Sequence, residues 1–178
     1  MKLINVAIGI CGLALAATAG AWDPEEVEKL DAGANEAVAE MLANDPDMKR
    51  FFDSSVAHVV IPTVGKAGLG IGGARGKGLL YEGGDPTAIV TLTQLSIGFQ
   101  WGGQAYSEFL FFKDASALDG FKRGDFELGA QVSAVAVKAG ASADADFQSG
   151  VAIFTQAKGG LMYEASVGGQ KFKLEPNE

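Results

Sequence analysis

The stretch 68–82, GLGIGGARGKGLLYE, decides how this chain is read. Gly68, Gly70, Gly72, Ala74, Gly76 and Gly78 fall on one parity, and Leu69, Ile71, Arg75, Lys77, Leu79 and Tyr81 on the other. A period of two belongs to strands, whose successive side chains point to opposite faces. One face of this strand, or hairpin of two strands, is therefore almost bare. Glycine inside a strand costs stability, so the bare face is expected to be a packing surface for a helix or a crossing strand. Valine at Gly70 or Gly72 should then cost about 1–3 kcal/mol by overpacking. The letters at 68–73 also match G-x-G-x-x-G, but a dinucleotide site needs a helix opening at that motif to face the pyrophosphate. Arg75-Gly76-Lys77-Gly78 follows instead, and no helix is expected before residue 114.

Upstream, residues 23–43 read as an amphipathic helix. Asp23 suits the N-cap, Pro24 the first helical position, and Glu25 and Glu26 the first turn. Val27, Leu30, Ala34, Val38, Met41 and Leu42 recur at helical spacing, and Asn44-Asp45-Pro46 ends the run. A short second helix is expected from Pro46 to about Asp53. Downstream, Leu95, Ile97, Phe99 and Trp101 alternate with Ser96, Gly98 and Gln100 as a half-buried strand. Ser107–Phe112 is apolar on both parities, as in a central strand. Asp114 caps a short helix carrying Leu118 and Phe121, which Gly124 stops. A strand from Phe126 to Ala134, a polar loop at 138–147, a hairpin turning at Lys158-Gly159-Gly160 and a last short strand at 171–174 complete the chain. The expected class is α+β: an N-terminal amphipathic helix, then a mostly antiparallel, Gly-rich sheet or barrel with one short interrupting helix.

Residues 1–21 read as a signal peptide. Lys2 precedes an apolar run from Leu3 to Ala17, and small residues end at Ala21. The run is shorter than the ~20 apolar residues of a membrane span. Cleavage near Ala21 implies a periplasmic or secreted protein. It also removes Cys11, the single cysteine, leaving neither disulfide nor thiolate chemistry. Removing 21 of 178 residues leaves 157, which suits one domain over 22–178. Losing Lys2 moves the formal charge from −8 to −9. Such an acidic chain is repelled by phosphate backbones, which argues against nucleic-acid partners.

No constellation supports an enzyme, and none calls for a cofactor. His58 is the single histidine and lies in the apolar run 56–61, where a satisfied core role is expected; the lack of a second histidine and of a cysteine in the mature chain argues against a zinc site. Asp144 and Asp146 lack the glycine and glutamate spacing of a calcium loop. Glu108, in an otherwise apolar strand, is expected to be a structural carboxylate with a partner. The few cations matter more. Lys66, Arg75 and Lys77 frame the glycine run, and Lys49 and Arg50 precede Phe51 and Phe52. Cations beside aromatic side chains suit an anionic headgroup.

At this point the chain resembles a known family, the SYLF domain. Ala67–Leu80 (AGLGIGGARGKGLL) is similar to its glycine-rich opening, and 96–104 (SIGFQWGGQ) to its sheet motif with paired glutamines. Ser107–Phe112 looks like its apolar strand, 114–124 like its short helix, Phe126–Gly129 like its Phe-x-Leu-Gly strand, and Lys158–Leu161 like its closing hairpin. The resemblance covers about residues 48–168. It implies a non-enzymatic lipid-binding module, with actin-filament binding in some eukaryotic members. In a bacterial envelope the expected partner is anionic membrane phospholipid, held by Lys66, Arg75 and Lys77 with Lys49, Arg50, Phe51 and Phe52 as helpers. The alternative is a structural or protein-interaction module with an envelope protein partner. One departure stands out: many members carry a Gly-Pro-x-Gly-Arg turn where this chain has Val137-Lys138-Ala139-Gly140.

Overall fold

The computed structural model describes residues 22–98, 104–124, 134–143, 145–158 and 169–177, with 67–71 and 96–98 described by backbone alone. The signal peptide read at 1–21, the strand read from 126 and the hairpin arm at 161–168 lie outside those residues.

Helix α1 (Pro24–Asn44) starts as its sequence dictates. The carboxylate of Asp23 accepts from the Glu25 N–H at 3.0 Å, and Pro24 stands where its missing N–H costs nothing. Asp45 closes it by donating its N–H to Met41 O, and a 3-10 turn (Pro46–Met48) leads into α2 (Lys49–Ser54). The strands are β1 (Ala57–Glu82), β2 (Asp85–Gly98), β3 (Gln104–Phe112), β4 (Val135–Ala136), β5 (Val151–Lys158) and β6 (Gln170–Pro176), with α3 (Ala115–Lys122) between β3 and β4. Among the described residues they form one sheet in the order β4-β5-β3-β1-β2-β6, antiparallel except for β4 beside β5. The architecture is α+β, as expected.

The glycine run belongs to a single strand of 26 residues rather than to a hairpin. The first part of β1 pairs with β3 up to Lys66, and the second pairs with β2 from Gly70. A straight strand would hold Val60 and Gly78 about 60 Å apart. Here the strand coils back and they touch. A Cβ on Gly78 would overlap the Val60 carbonyl oxygen and lie 2.7 Å from Ile61 Cα. One on Gly76 would lie 2.7 Å from Ile61 Cγ2 and 2.9 Å from Thr63 O. The bare face therefore receives a crossing strand, and that strand is the first half of β1 itself. Pro62, which has no N–H to give the ladder, sits where the register shifts between Ile61 and Val64, and Ser107 Oγ donates to its carbonyl at 2.9 Å. Gly83 and Gly84, both at positive φ, make the two-residue turn into β2.

Coiling gives the sheet two buried faces, which explains why β3 is apolar on both parities. Tyr106, Leu110 and Phe112 face the interior with Ile61, Val64, Leu80, Val90 and Leu92, and α3 caps that core with Leu118 and Phe121. Phe109 and Phe111 face outward with Val60, Leu79, Ile89 and Phe154, under Ala34, Ala37 and Met41 of α1 and Phe51 of α2. Trp22 ties the start of the domain to its last strand by donating its indole N–H to Glu175 O at 3.0 Å. The far end of β2 reverses the expected phase. Gln94, opposite Ala74 and Gln170, is buried, while Leu95, opposite Gly73, is 84% exposed.

Candidate functional site

The strand register assembles what the linear sequence separates. Arg75 of β1 stands opposite Thr93 of β2, and Thr93 opposite Lys171 of β6. One step along, Lys77, Thr91 and Lys173 form the same row. Directly paired residues share a face, so the two rows place Arg75, Lys77, Lys171 and Lys173 on one face. The cations of each row are about 10 Å apart, two strand spacings. Arg75 is exposed and makes no ion pair among the described residues. Lys77 binds Glu26 of α1 at 2.6 Å, and Lys173 binds Glu175 at 2.9 Å. The hydrogen bond and charge of Lys173, with a smaller contribution from Lys77, hold the Glu175 carboxyl below its usual range. Exposed Leu95 lies next to the first row. With Gly65, Gly73, Ala74, Thr93, Gln94 and Gly169 it lines a groove of about 430 Å³ that has Arg75 and Lys171 at its rim.

The other residues read as candidates have different surroundings. Lys66, opposite Gln104, is 9% exposed. Lys49 is paired with Asp53 one helical turn on, at 2.6 Å. Arg50 donates to the carbonyls of Ser142 and Ala145, and its guanidinium lies 4.7 Å from the Phe51 ring centre. Asp45 holds the same loop by accepting from the Ser142 N–H at 2.8 Å. Phe51 is buried at 4.6 Å from the Phe154 ring, with Phe147 and Phe111 also against it. Phe52 is half-buried, edge-on to His58 and Phe111. Lys49 and Arg50 border a hollow with Ser142 and Ala143, separate from the groove at Arg75, while Lys77 lies in a third, acidic groove. The seven candidates therefore do not form one surface.

Lys171 and Lys173 are not among the candidates the sequence singles out, since 171–174 reads only as a last short strand. The signal was present: Lys171-Phe172-Lys173 alternates at strand period, which puts both lysines on one face. His58 is half-buried, stacked on Tyr81 at 5.1 Å, and burial lowers its pKa to about 4, so it stands neutral as a core residue. Among the described residues no three His, Cys, Asp or Glu side chains gather as metal ligands, and no helix is long and apolar enough to cross a membrane.

Comparison with known proteins gives two findings. Residues 93–178 match the family model described as Ysc84, Las17-binding protein actin regulator. The chain is also similar to Beta cell expansion factor A of Aeromonas veronii, 26% identical over 145 residues, covering 80% of this chain and 54% of the relative. The chain thus spans about half the length of the curated relative it matches. Neither name denotes an enzyme, and a SYLF-type domain is compatible with lipid binding or with an actin-regulator type of protein interaction. The matched span begins after the glycine run and includes β3, β5 and β6, and the SYLF resemblance carried by the motifs is thereby borne out.

Proposed function

We propose that this domain is a non-enzymatic module that binds anionic phospholipid headgroups in a bacterial cell envelope, after removal of its leader near Ala21. The observation that carries the reading is the pair of cationic rows beside exposed Leu95 on an otherwise acidic chain. Arg75 and Lys77 lead, as the sequence suggested, with Lys171 and Lys173 completing the rows. Thr93 offers a hydroxyl between the phosphate-binding charges. Lys49, Arg50, Phe51 and Phe52 lie away from these rows, and buried Lys66 stands outside them, so none of the five is part of the proposed contact.

The magnitudes favour weak, surface-level binding. A cation near an anionic surface contributes about 1 kcal/mol. Glu26 and Glu175 compete for Lys77 and Lys173, so the full sum over four cations is an upper bound. Insertion of Leu95 adds about 1.5–3 kcal/mol. The charge contribution is screened over about 8 Å at physiological ionic strength, so binding should fall steeply with salt. Co-sedimentation with vesicles of phosphatidylglycerol and phosphatidylcholine tests the reading. The parent should pellet at low salt, and an Arg75→Glu, Lys171→Glu variant of unchanged fold should not. If the parent stays in the supernatant, the module is a protein-interaction surface instead. The feature favouring that second reading is the groove of about 720 Å³ beside α1, lined by Asp23, Glu25, Glu26 and Glu36.

A further inference from the structure

The interior of the coiled sheet holds a carboxyl group used neither by the core packing nor by the proposed lipid contact. Glu108 is wholly buried in β3, with Ile61 of β1 opposite on one side and Thr155 of β5 on the other. No cation meets it. Its hydrogen-bond partners among the described residues are neutral: Gln170 of β6, whose Nε2 donates to Glu108 Oε2 at 2.9 Å, and the Tyr106 phenol. Among the described residues Tyr106 is the one titratable group in contact, and burial, then the charge of Glu108, pushes its phenol up. Lys66 is the cation further along β1, and it forms no ion pair among the described residues. β2 contributes Gln94, opposite Gln170, and α3 contributes apolar Leu118 and Phe121.

Among the described residues four atoms of this arrangement are left over, Thr155 Oγ1 and Gln94 Oε1 among them. Glu108 Oε1 and Gln170 Oε1 are both buried with no hydrogen-bond partner, and they belong to the same two planar groups that the 2.9 Å bond already joins. As a carboxylate, Glu108 would leave its own Oε1 and Gln170 Oε1 both as buried acceptors without a donor, and each unsatisfied polar atom there costs free energy. As a carboxylic acid it supplies the missing donor. The acid and the amide can then exchange two reciprocal hydrogen bonds in one ring.

We propose that Glu108 and Gln170 form a proton-dependent acid–amide clasp that fastens β6 to β3 across the interior, and that losing the proton releases β6. Burial without a cation holds the Glu108 carboxyl well above its ordinary 4.5, at about 8. The acid is the resident form at neutral pH, while with β6 released the Glu108 carboxyl on β3 meets water and returns to its ordinary range. The released state thus binds fewer protons between those two values. The clasp is strongest below about pH 4.5, weakens as pH rises to about 8, and changes no further above that. Gln170 is followed by Lys171 and Lys173, so the clasp sets whether half of the cationic rows is in place. The clasp itself does not depend on those rows binding lipid.

Hydrogen exchange on the purified chain tests it, with rates corrected for intrinsic pH dependence and α1 amides as internal reference. In the parent, the opening constant of β6 amides should rise by up to about tenfold per pH unit between pH 5 and 8. Glu108→Gln carries a donor at every pH and should abolish that dependence while keeping β6 protected. Equal pH dependence in parent and variant overturns the proposal. Should the variant not fold, a carbon-13 titration of the parent's Glu108 carboxyl decides: a midpoint above about pH 7 supports the clasp, and one in the ordinary carboxylate range overturns it.

Discussion

Two regions of this molecule carry the same sequence signal and use it in opposite ways. At 49–52 a lysine and an arginine precede two phenylalanines; at 75–77 an arginine and a lysine lie within the glycine run. In the first region the fold takes up Arg50, Phe51 and Phe52 and leaves Lys49 on the surface, paired within its own helix. Lys49 goes to Asp53, Arg50 to two loop carbonyls, Phe51 to a buried aromatic cluster and Phe52 to the edge of His58. In the second, Arg75 stays on the surface because the strand carrying it turns its other face, bare of side chains, onto its own first half. Cations thus make a surface where the strand register gathers them on one face, as it does around Arg75.

The largest expected effect separates the crossing from its surroundings. Gly78→Ala places a methyl against the backbone of Val60 and Ile61, which cannot move aside as a side chain would. The cost should reach or exceed the ~3 kcal/mol upper range for overpacking. Gly65→Ala, on the same strand with nothing within 4 Å of the added atom, should melt within a degree or two of the parent. Similar melting of the two variants would mean that β1 does not cross itself. Next comes the aromatic region: Phe51→Ala should cost about 3–5 kcal/mol by denaturant unfolding, as for a fully packed phenylalanine. A cost under about 1 kcal/mol would place Phe51 outside the core.

Much of the fold was legible in local patterns. Asp23-Pro24, the Asp114 cap and the two-faced apolar run of β3 each follow from chemistry within a few residues, and each element stands where that chemistry puts it. The parity of the glycine run announced a close approach, but parity cannot say which element approaches; at Gly76 and Gly78 it is the first half of the same strand. The site was legible by halves for the same reason. Arg75 and Lys77 are conspicuous beside glycines, whereas Lys171 and Lys173 join them only through a register linking residues nearly a hundred positions apart. Arg50 was misleading because its partners are backbone carbonyls of a loop, which carry no sequence signature.

Smaller effects sharpen the contrast. Arg50→Ala should cost about 1–2 kcal/mol, since charged hydrogen bonds to the 142–145 loop are lost. It should also speed proteolysis within that loop; an unchanged cleavage pattern would mean that Arg50 does not hold it. Lys49→Ala removes only an exposed pair one helical turn apart and should change stability by less than about 0.5 kcal/mol.

The most direct measurement of the central claim compares the two regions in one assay. Binding of the parent, Arg75→Glu and Lys49→Glu to anionic vesicles is titrated at low salt, with circular dichroism confirming equal folding. Both variants change the net charge by the same amount, so only position distinguishes them. The account predicts that Arg75→Glu loses most of the binding, about tenfold or more for a reversed charge at the surface, while Lys49→Glu binds nearly as the parent does. Equal loss in the two variants would contradict it, because net charge rather than the rows at Arg75 and Lys171 would then govern the interaction.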